Sequence, residues 1–108
     1  MSKLHADYYA DSMQQISTSL VRNDQIGEGT YRIRVAAESI ARTLVPGQFV
    51  MIRMTGTNAP LIGRALAVYD VICDESGAPV WIDLVYLKKG TFTTVLAESP
   101  LGTQVTLW

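Results

Sequence analysis

Tyr31, Ile33 and Val35 alternate with Arg32, Arg34 and Ala36, the period-two pattern of a strand with one face in a core and one in water. Comparable segments recur along the chain, each bounded by turn chemistry. Residues 16–26 predict a first strand, followed by a turn at Asp24-Gln25-Ile26-Gly27-Glu28-Gly29. Pro46-Gly47 is a turn dipeptide, and residues 48–55, rich in Val, Ile and Met, predict a third strand. After a loop at Thr57-Asn58-Ala59-Pro60, a fourth strand is expected over about 65–73, ended by the turn Asp74-Glu75-Ser76-Gly77. Residues 80–87 give the fifth, where Trp81, Ile82, Val85 and Tyr86 suit a pleated surface.

The period then changes. Phe92, Val95 and Leu96 fall at i, i+3 and i+4, which predicts a short helix with one apolar face. Thr91 is placed to cap its start, and Ser99-Pro100-Leu101-Gly102 to end it. Residues 104–108 predict a sixth strand. Residues 1–13 show no clear periodicity around Tyr8 and Tyr9 and read as an extension, leaving 14–108 as the domain. Six strands and one helix before the last suggest a small all-β, antiparallel Greek-key barrel, closed so that its edges are protected.

Composition narrows the use of such a barrel. The chain has 108 residues, enough for one core, with 48% hydrophobic and 18% charged residues. Nine basic against ten acidic residues leave a net charge of −1, and no basic run exists to grip a phosphate backbone, so nucleic acid is not an expected partner. No apolar run approaches the roughly 20 residues of a membrane-spanning helix. The N-terminus carries no hydrophobic signal region, so a cytoplasmic setting is the expectation. The single cysteine, Cys73, excludes an internal disulfide and an all-cysteine metal or iron–sulfur site within these residues.

Few side chains then remain to carry chemistry. Arg64 opens an otherwise apolar strand, Arg64-Ala65-Leu66-Ala67-Val68-Tyr69. A guanidinium there offers a rigid fork for two phosphate oxygens; the other reading pairs it with a carboxylate such as Asp70 or Glu75. Gly90-Thr91 opens the helix, where a glycine lets an anion approach the backbone, with Lys88 and Lys89 beside it. Tyr69 and Tyr86 offer aromatic faces near one barrel end. His5 has no triad partner, and Asp70 and Asp83 read as solvent-facing, with no metal-site pairing.

Taken in order, Pro46-Gly47-Gln48-Phe49-Val50-Met51, then Arg64 with an apolar strand ending at Tyr69, then Gly90-Thr91, resemble the FAD-binding barrel of the ferredoxin–NADP reductase superfamily. Within it the likeness is to the dihydroorotate dehydrogenase electron-transfer subunits of pyrimidine biosynthesis. The resemblance implies FAD held across one end of the barrel. Arg64 would take the pyrophosphate, with Gly90 and Thr91 on the helix side. Ala65, Leu66 and Ala67 would line the isoalloxazine, Val68 and Tyr69 the ribityl or adenosine portion, and Leu84, Val85 and Tyr86 the opposite side. It also implies an oxidoreductase passing electrons from a nicotinamide through flavin to an iron–sulfur cluster.

The chain departs from that pattern in three places. Ala67 stands where relatives carry a serine whose hydroxyl meets the flavin near N5, and Leu66 offers no tyrosine-type stack. Lys88 replaces a glycine two positions before Gly90. The nicotinamide-binding domain and the cysteine cluster for [2Fe-2S] are absent from these 108 residues. The expectations are therefore weak FAD binding and no useful NADH oxidation by this chain alone. The expected partner is a nicotinamide-binding domain or a catalytic dehydrogenase subunit, and a homodimer through the face near Trp108 is a further expectation. The alternatives are a non-catalytic barrel of the same fold serving as a binding or assembly module, and a ligand-binding barrel unrelated to flavin.

Overall fold

Alternation of apolar and polar residues gives each strand one face for a shared core, and closing the sheet leaves no open edge. The computed structural model describes residues 15–55 and 63–108. Its elements are β1 (Ile16–Gly27), β2 (Thr30–Ala36), α1 (Glu38–Ala41), β3 (Phe49–Met54), β4 (Arg64–Cys73), β5 (Pro79–Leu87), α2 (Thr91–Ala97) and β6 (Gln104–Leu107). The strands form a closed barrel in the order β1-β2-β5-β4-β3-β6, and every neighbouring pair is antiparallel. This is the expected Greek-key barrel, with α2 before the last strand. The readings on residues 1–13 and on the loop at 57–60 lie outside the described residues.

The inward positions follow period two. Ile33 and Val35 on β2, Val50 and Ile52 on β3, Leu66 and Val68 on β4, and Ile82 and Leu84 on β5 are all buried. Phe92 and Leu96 of α2 join the same core, at the helical spacing read from the sequence. No helix among the described residues is long and apolar enough to cross a membrane.

Three local readings change. The first strand continues to Gly27, so the first turn is confined to Glu28-Gly29, where Gly29 takes a positive φ of 67°. A single helical turn, α1, stands between β2 and β3; four residues are too few to give a period. It is tied to β5 by the Ala37 amide donating to Val80 O at 2.8 Å.

The third change concerns charge. Asp83 is not solvent-facing: it is 1% exposed. Arg34 Nε and Nη2 reach its two oxygens at 2.7 and 3.0 Å, and Arg32 Nη1 lies 3.8 Å away. Arg32 and Arg22 also meet Asp24, at 3.2 and 3.0 Å. Asp83 does occupy an outward position, but the arginines of β2 lie over it, because Arg34 is its direct register partner.

At the other end of the chain, Trp108 exchanges backbone hydrogen bonds with Met51 at 3.0 and 3.1 Å. Its ring lies 5.7 Å beneath the Arg53 guanidinium. The ring also packs on Gly63, where an added Cβ would come within 2.5 Å of it. Gly63 is thus held to glycine by space, immediately before Arg64.

Candidate functional site

Because Leu66 and Val68 turn inward, Ala65 and Ala67 turn outward, and so do Val85 and Leu87 on β5 and Phe49 on β3. The register sets Ala67 directly between Phe49 and Val85. Two small side chains flanked by larger ones leave a trough on the outer wall. A groove of about 540 Å³ occupies it. Its floor and sides are Phe49, Ala65, Leu66, Ala67, Val85 and Leu87. Arg64, Lys89, Thr93, Thr30 and the edge of Tyr86 complete it.

The groove is therefore polarised. Arg64 and Lys89 give it a cationic end, and no carboxylate is among its described lining residues. Arg64 is exposed and has no ion pair with any described residue, so the pairing with Asp70 or Glu75 is not formed.

At the start of α2 the details differ from expectation. Gly90, not Thr91, is the N-cap residue, with φ 85° and no side-chain cap bond. Nothing lies within 4 Å of a Cβ built on Gly90, so glycine is needed there for the backbone angle rather than for room. Thr93 does the satisfying instead: its Oγ1 accepts from the Lys89 amide at 2.8 Å and donates to the Lys89 carbonyl. With only seven residues, α2 adds little dipole, and the cationic character rests on the two side chains.

The groove's inner wall is pinned by a network that the sequence did not disclose. Tyr86 Oη donates to Asn23 Oδ1 at 3.1 Å, while Asn23 Nδ2 donates to the carbonyls of Leu96 and Ser99 at 2.8 and 3.0 Å. Asn23 thus ties the end of α2 to β1 and β5, adding a second donor to the Leu96 carbonyl, which also accepts from the Ser99 amide at 3.1 Å, and supplying a donor to the Ser99 carbonyl. Tyr86 also stacks on Tyr31, with ring centroids 5.7 Å apart. Burial, with Tyr31 close by, pushes the Tyr86 phenol well above its ordinary range, so it is neutral and donates at neutral pH. Replacing Asn23 with alanine takes their side-chain partner from the Tyr86 hydroxyl and the Ser99 carbonyl and is expected to cost about 2 kcal/mol. Urea unfolding monitored by circular dichroism measures that loss directly.

Of the residues singled out from sequence, the groove gathers Arg64, Ala65, Leu66, Ala67, Val85 and Tyr86. Val68 and Leu84 face the core instead, at 2% and 0% exposure, as alternation requires once Ala67 and Val85 face out. Tyr69 falls at a register shift between Val68 and Asp70; it is exposed and not part of the lining. Gly90 and Thr91 border the groove without lining it. Phe49, Leu87, Lys89, Thr93 and Thr30 were not anticipated. Phe49 had a signal, since inward Val50, Ile52 and Met54 place residue 49 on the outer face. No cluster of metal-ligating side chains occurs among the described residues.

Comparison with known proteins bears on this geometry. No protein-family model matches the chain. The chain is 29% identical over 90 residues to the electron transfer subunit of dihydroorotate dehydrogenase B (NAD(+)) from Geobacillus sp. (strain WCH70). It is 30% identical over 82 residues to the subunit of the same name from Desulforamulus reducens. These matches take in 83% and 76% of the chain. The siderophore-interacting protein of Acinetobacter baumannii superposes over 89% of the chain and 40% of its own, with a TM-score of 0.60 at 20% identity. An NADH-dependent reduced ferredoxin–NADP oxidoreductase superposes over 82% of the chain and 29% of its own, with a TM-score of 0.59 at 19% identity. The chain is a ferredoxin–NADP reductase-like barrel. The likeness read from Pro46-Gly47-Gln48-Phe49, Arg64 and Gly90-Thr91 holds at the level of sequence and of fold. This ferredoxin–NADP reductase-like barrel spans about a third of the length of the curated relatives it matches, 34% and 30%.

Proposed function

We propose that the outer groove holds the flavin of an electron-transfer oxidoreductase, with FAD as the cofactor. One observation carries the reading: Arg64, with no ion pair among the described residues, heads β4 beside a trough with an alanine floor and no carboxylate among its described lining residues. A dinucleotide needs both an anion site and a flat apolar bed, and the residues present fit that demand. Arg64 and Lys89 would take phosphate oxygens. Ala65, Ala67, Val85 and Leu87 would lie under and beside the ring, and Tyr86, fixed by Asn23, would support the wall from behind.

When bound, flavin supplies the reversible two-electron chemistry that no side chain here offers. The outer face of the groove is open to solvent, so a nicotinamide-binding domain or a catalytic dehydrogenase subunit has room to approach the ring. Cys73 is the one cysteine of these 108 residues, so they do not supply the ligands of a [2Fe-2S] centre by themselves. Similarity to the dihydroorotate dehydrogenase subunits supports this reading of the groove, and pyrimidine biosynthesis is the setting it suggests.

Titration of the purified chain with FAD, followed by calorimetry and the visible flavin band, tests the proposal. Saturable binding at one site, weak because one side of the groove is open, is the expected result. No binding at any accessible concentration would favour the non-catalytic barrel, a reading for which the bare Ala67 already speaks.

A further inference from the structure

At the groove the ladder between β4 and β5 stops one rung early. Its last pair is Ala67 with Val85, and the same register continued would set Ala65 against Leu87. Both backbones are turned for that rung. Met51 exchanges its amide and carbonyl bonds with Trp108, so Ala65, its register partner on β4, points its own N–H and C=O the other way, toward β5. On β5 the Lys88 amide donates to Gly29 O at 2.8 Å, on the β2 side, and alternation then aims the Leu87 N–H at β4. Neither the Ala65 N–H and C=O nor the Leu87 N–H has a hydrogen-bond partner among the described residues.

Backbone groups so placed ordinarily pair, which asks what draws β5 aside. The Leu87 carbonyl, the acceptor that the Ala65 N–H would meet, takes the Lys89 amide at 3.0 Å instead. Helix α2 fastens that bend. Thr93 Oγ1 accepts from the same Lys89 amide at 2.8 Å and donates to the Lys89 carbonyl. One hydroxyl thus holds both backbone groups of the residue where the chain has just left β5.

We infer that Thr93 is a positioning residue: by clamping the Lys89 backbone it keeps the Ala65–Leu87 rung unmade and so holds the groove open. A closed rung would bring the two strands to the ordinary spacing of about 4.8 Å and set Leu87 beside Ala65, across the trough. The clamp stands on this geometry alone; its consequence for binding rests on the flavin reading above.

Amide hydrogen exchange of the full chain without ligand, followed by NMR, tests the clamp. In the wild type the Ala65 and Leu87 amides are expected to exchange at least about a hundredfold faster than the paired Ala67 amide. Thr93→Val keeps the branched shape without the hydroxyl and is expected to slow both amides at least about tenfold, while Thr93→Ser leaves them as in the wild type. Because the exchange is read without ligand, a contact between the hydroxyl and a bound phosphate cannot produce this pattern. Thr93→Ala lacks the same hydroxyl, is expected to act alike, and replaces the valine variant if that one has a lowered urea midpoint. Calorimetric titration with FAD is expected to show about tenfold weaker binding in Thr93→Val and affinity within about twofold of wild type in Thr93→Ser. Wild-type Ala65 and Leu87 amides as protected as Ala67, or no slowing in a folded variant without the hydroxyl, overturns the inference. Unchanged FAD affinity in a variant whose rung has closed overturns the link from clamp to groove. Slowed amides in a chain whose wild type binds no FAD keep the clamp and overturn the flavin reading instead.

Discussion

Arg34→Met is expected to destabilise the barrel by about 3 kcal/mol, and Arg34→Met combined with Asp83→Leu to restore most of that loss. Asp83 is 1% exposed, and Arg34 supplies both of its short hydrogen bonds, at 2.7 and 3.0 Å. Removing the guanidinium strands a carboxylate under the side chains of β2, where hydration is poor and desolvation is no longer offset. Arg32 Nη1 at 3.8 Å gives residual compensation, which places the loss at the lower end of the range for a broken buried pair. The double replacement removes the buried charge altogether and puts two apolar side chains on neighbouring strands in direct register. Urea unfolding of the wild type, the two single variants and the double variant closes the cycle. A double variant no better than Arg34→Met would show that the pair is worth more than its removal, contrary to this account.

That pair also marks where sequence reading stops. Asp83 has the outward position that alternation assigns it, and from one strand nothing more can be said. Its burial arises because β2 pairs with β5, skipping two strands, so that Arg34 and Arg32 cross over it. Pairing between distant strands is a property of the closed barrel, not of any local window. The same holds for Asn23, whose partners at Leu96 and Ser99 lie 73 and 76 residues away. A single asparagine inside a strand gives no local hint that it fastens a helix.

What was legible is local. Period-two runs gave the strands because each has one wet face, and Phe92, Val95 and Leu96 gave α2 because their spacing cannot be a strand. The ordered motif from Pro46 to Thr91 pointed to the right fold and to Arg64. It did not separate inward from outward residues on β4 and β5, so Val68 and Leu84 were counted with the groove although they belong to the core. Alternation anchored on Ile82 places Leu84 inward on the same strand. Thr91 reads as the cap because it is the first hydroxyl of the helix, yet the acceptor for the Lys89 amide is Thr93, two residues further into the first turn.

Arg64→Ala is the change expected to act most strongly on ligand binding while leaving the fold intact. The side chain is exposed and makes no ion pair with a described residue, so its loss leaves no buried partner and stability should move by no more than about 0.5 kcal/mol. Its role under the proposal is that of a charge-assisted phosphate contact, worth about 1.5–3 kcal/mol, or roughly ten- to a hundredfold in FAD affinity. Lysine at the same position would keep the charge but lose the fork, and should recover only part of the affinity. Salt adds a second handle: binding that depends on Arg64 and Lys89 at an exposed groove end should weaken as ionic strength rises, and do so less in Arg64→Ala. Calorimetric titration of both variants with FAD at two salt concentrations, with urea midpoints as the folding control, measures all of this. An Arg64→Ala protein that binds FAD as the wild type does would remove the anion end from the site, and with it the observation on which the flavin reading stands.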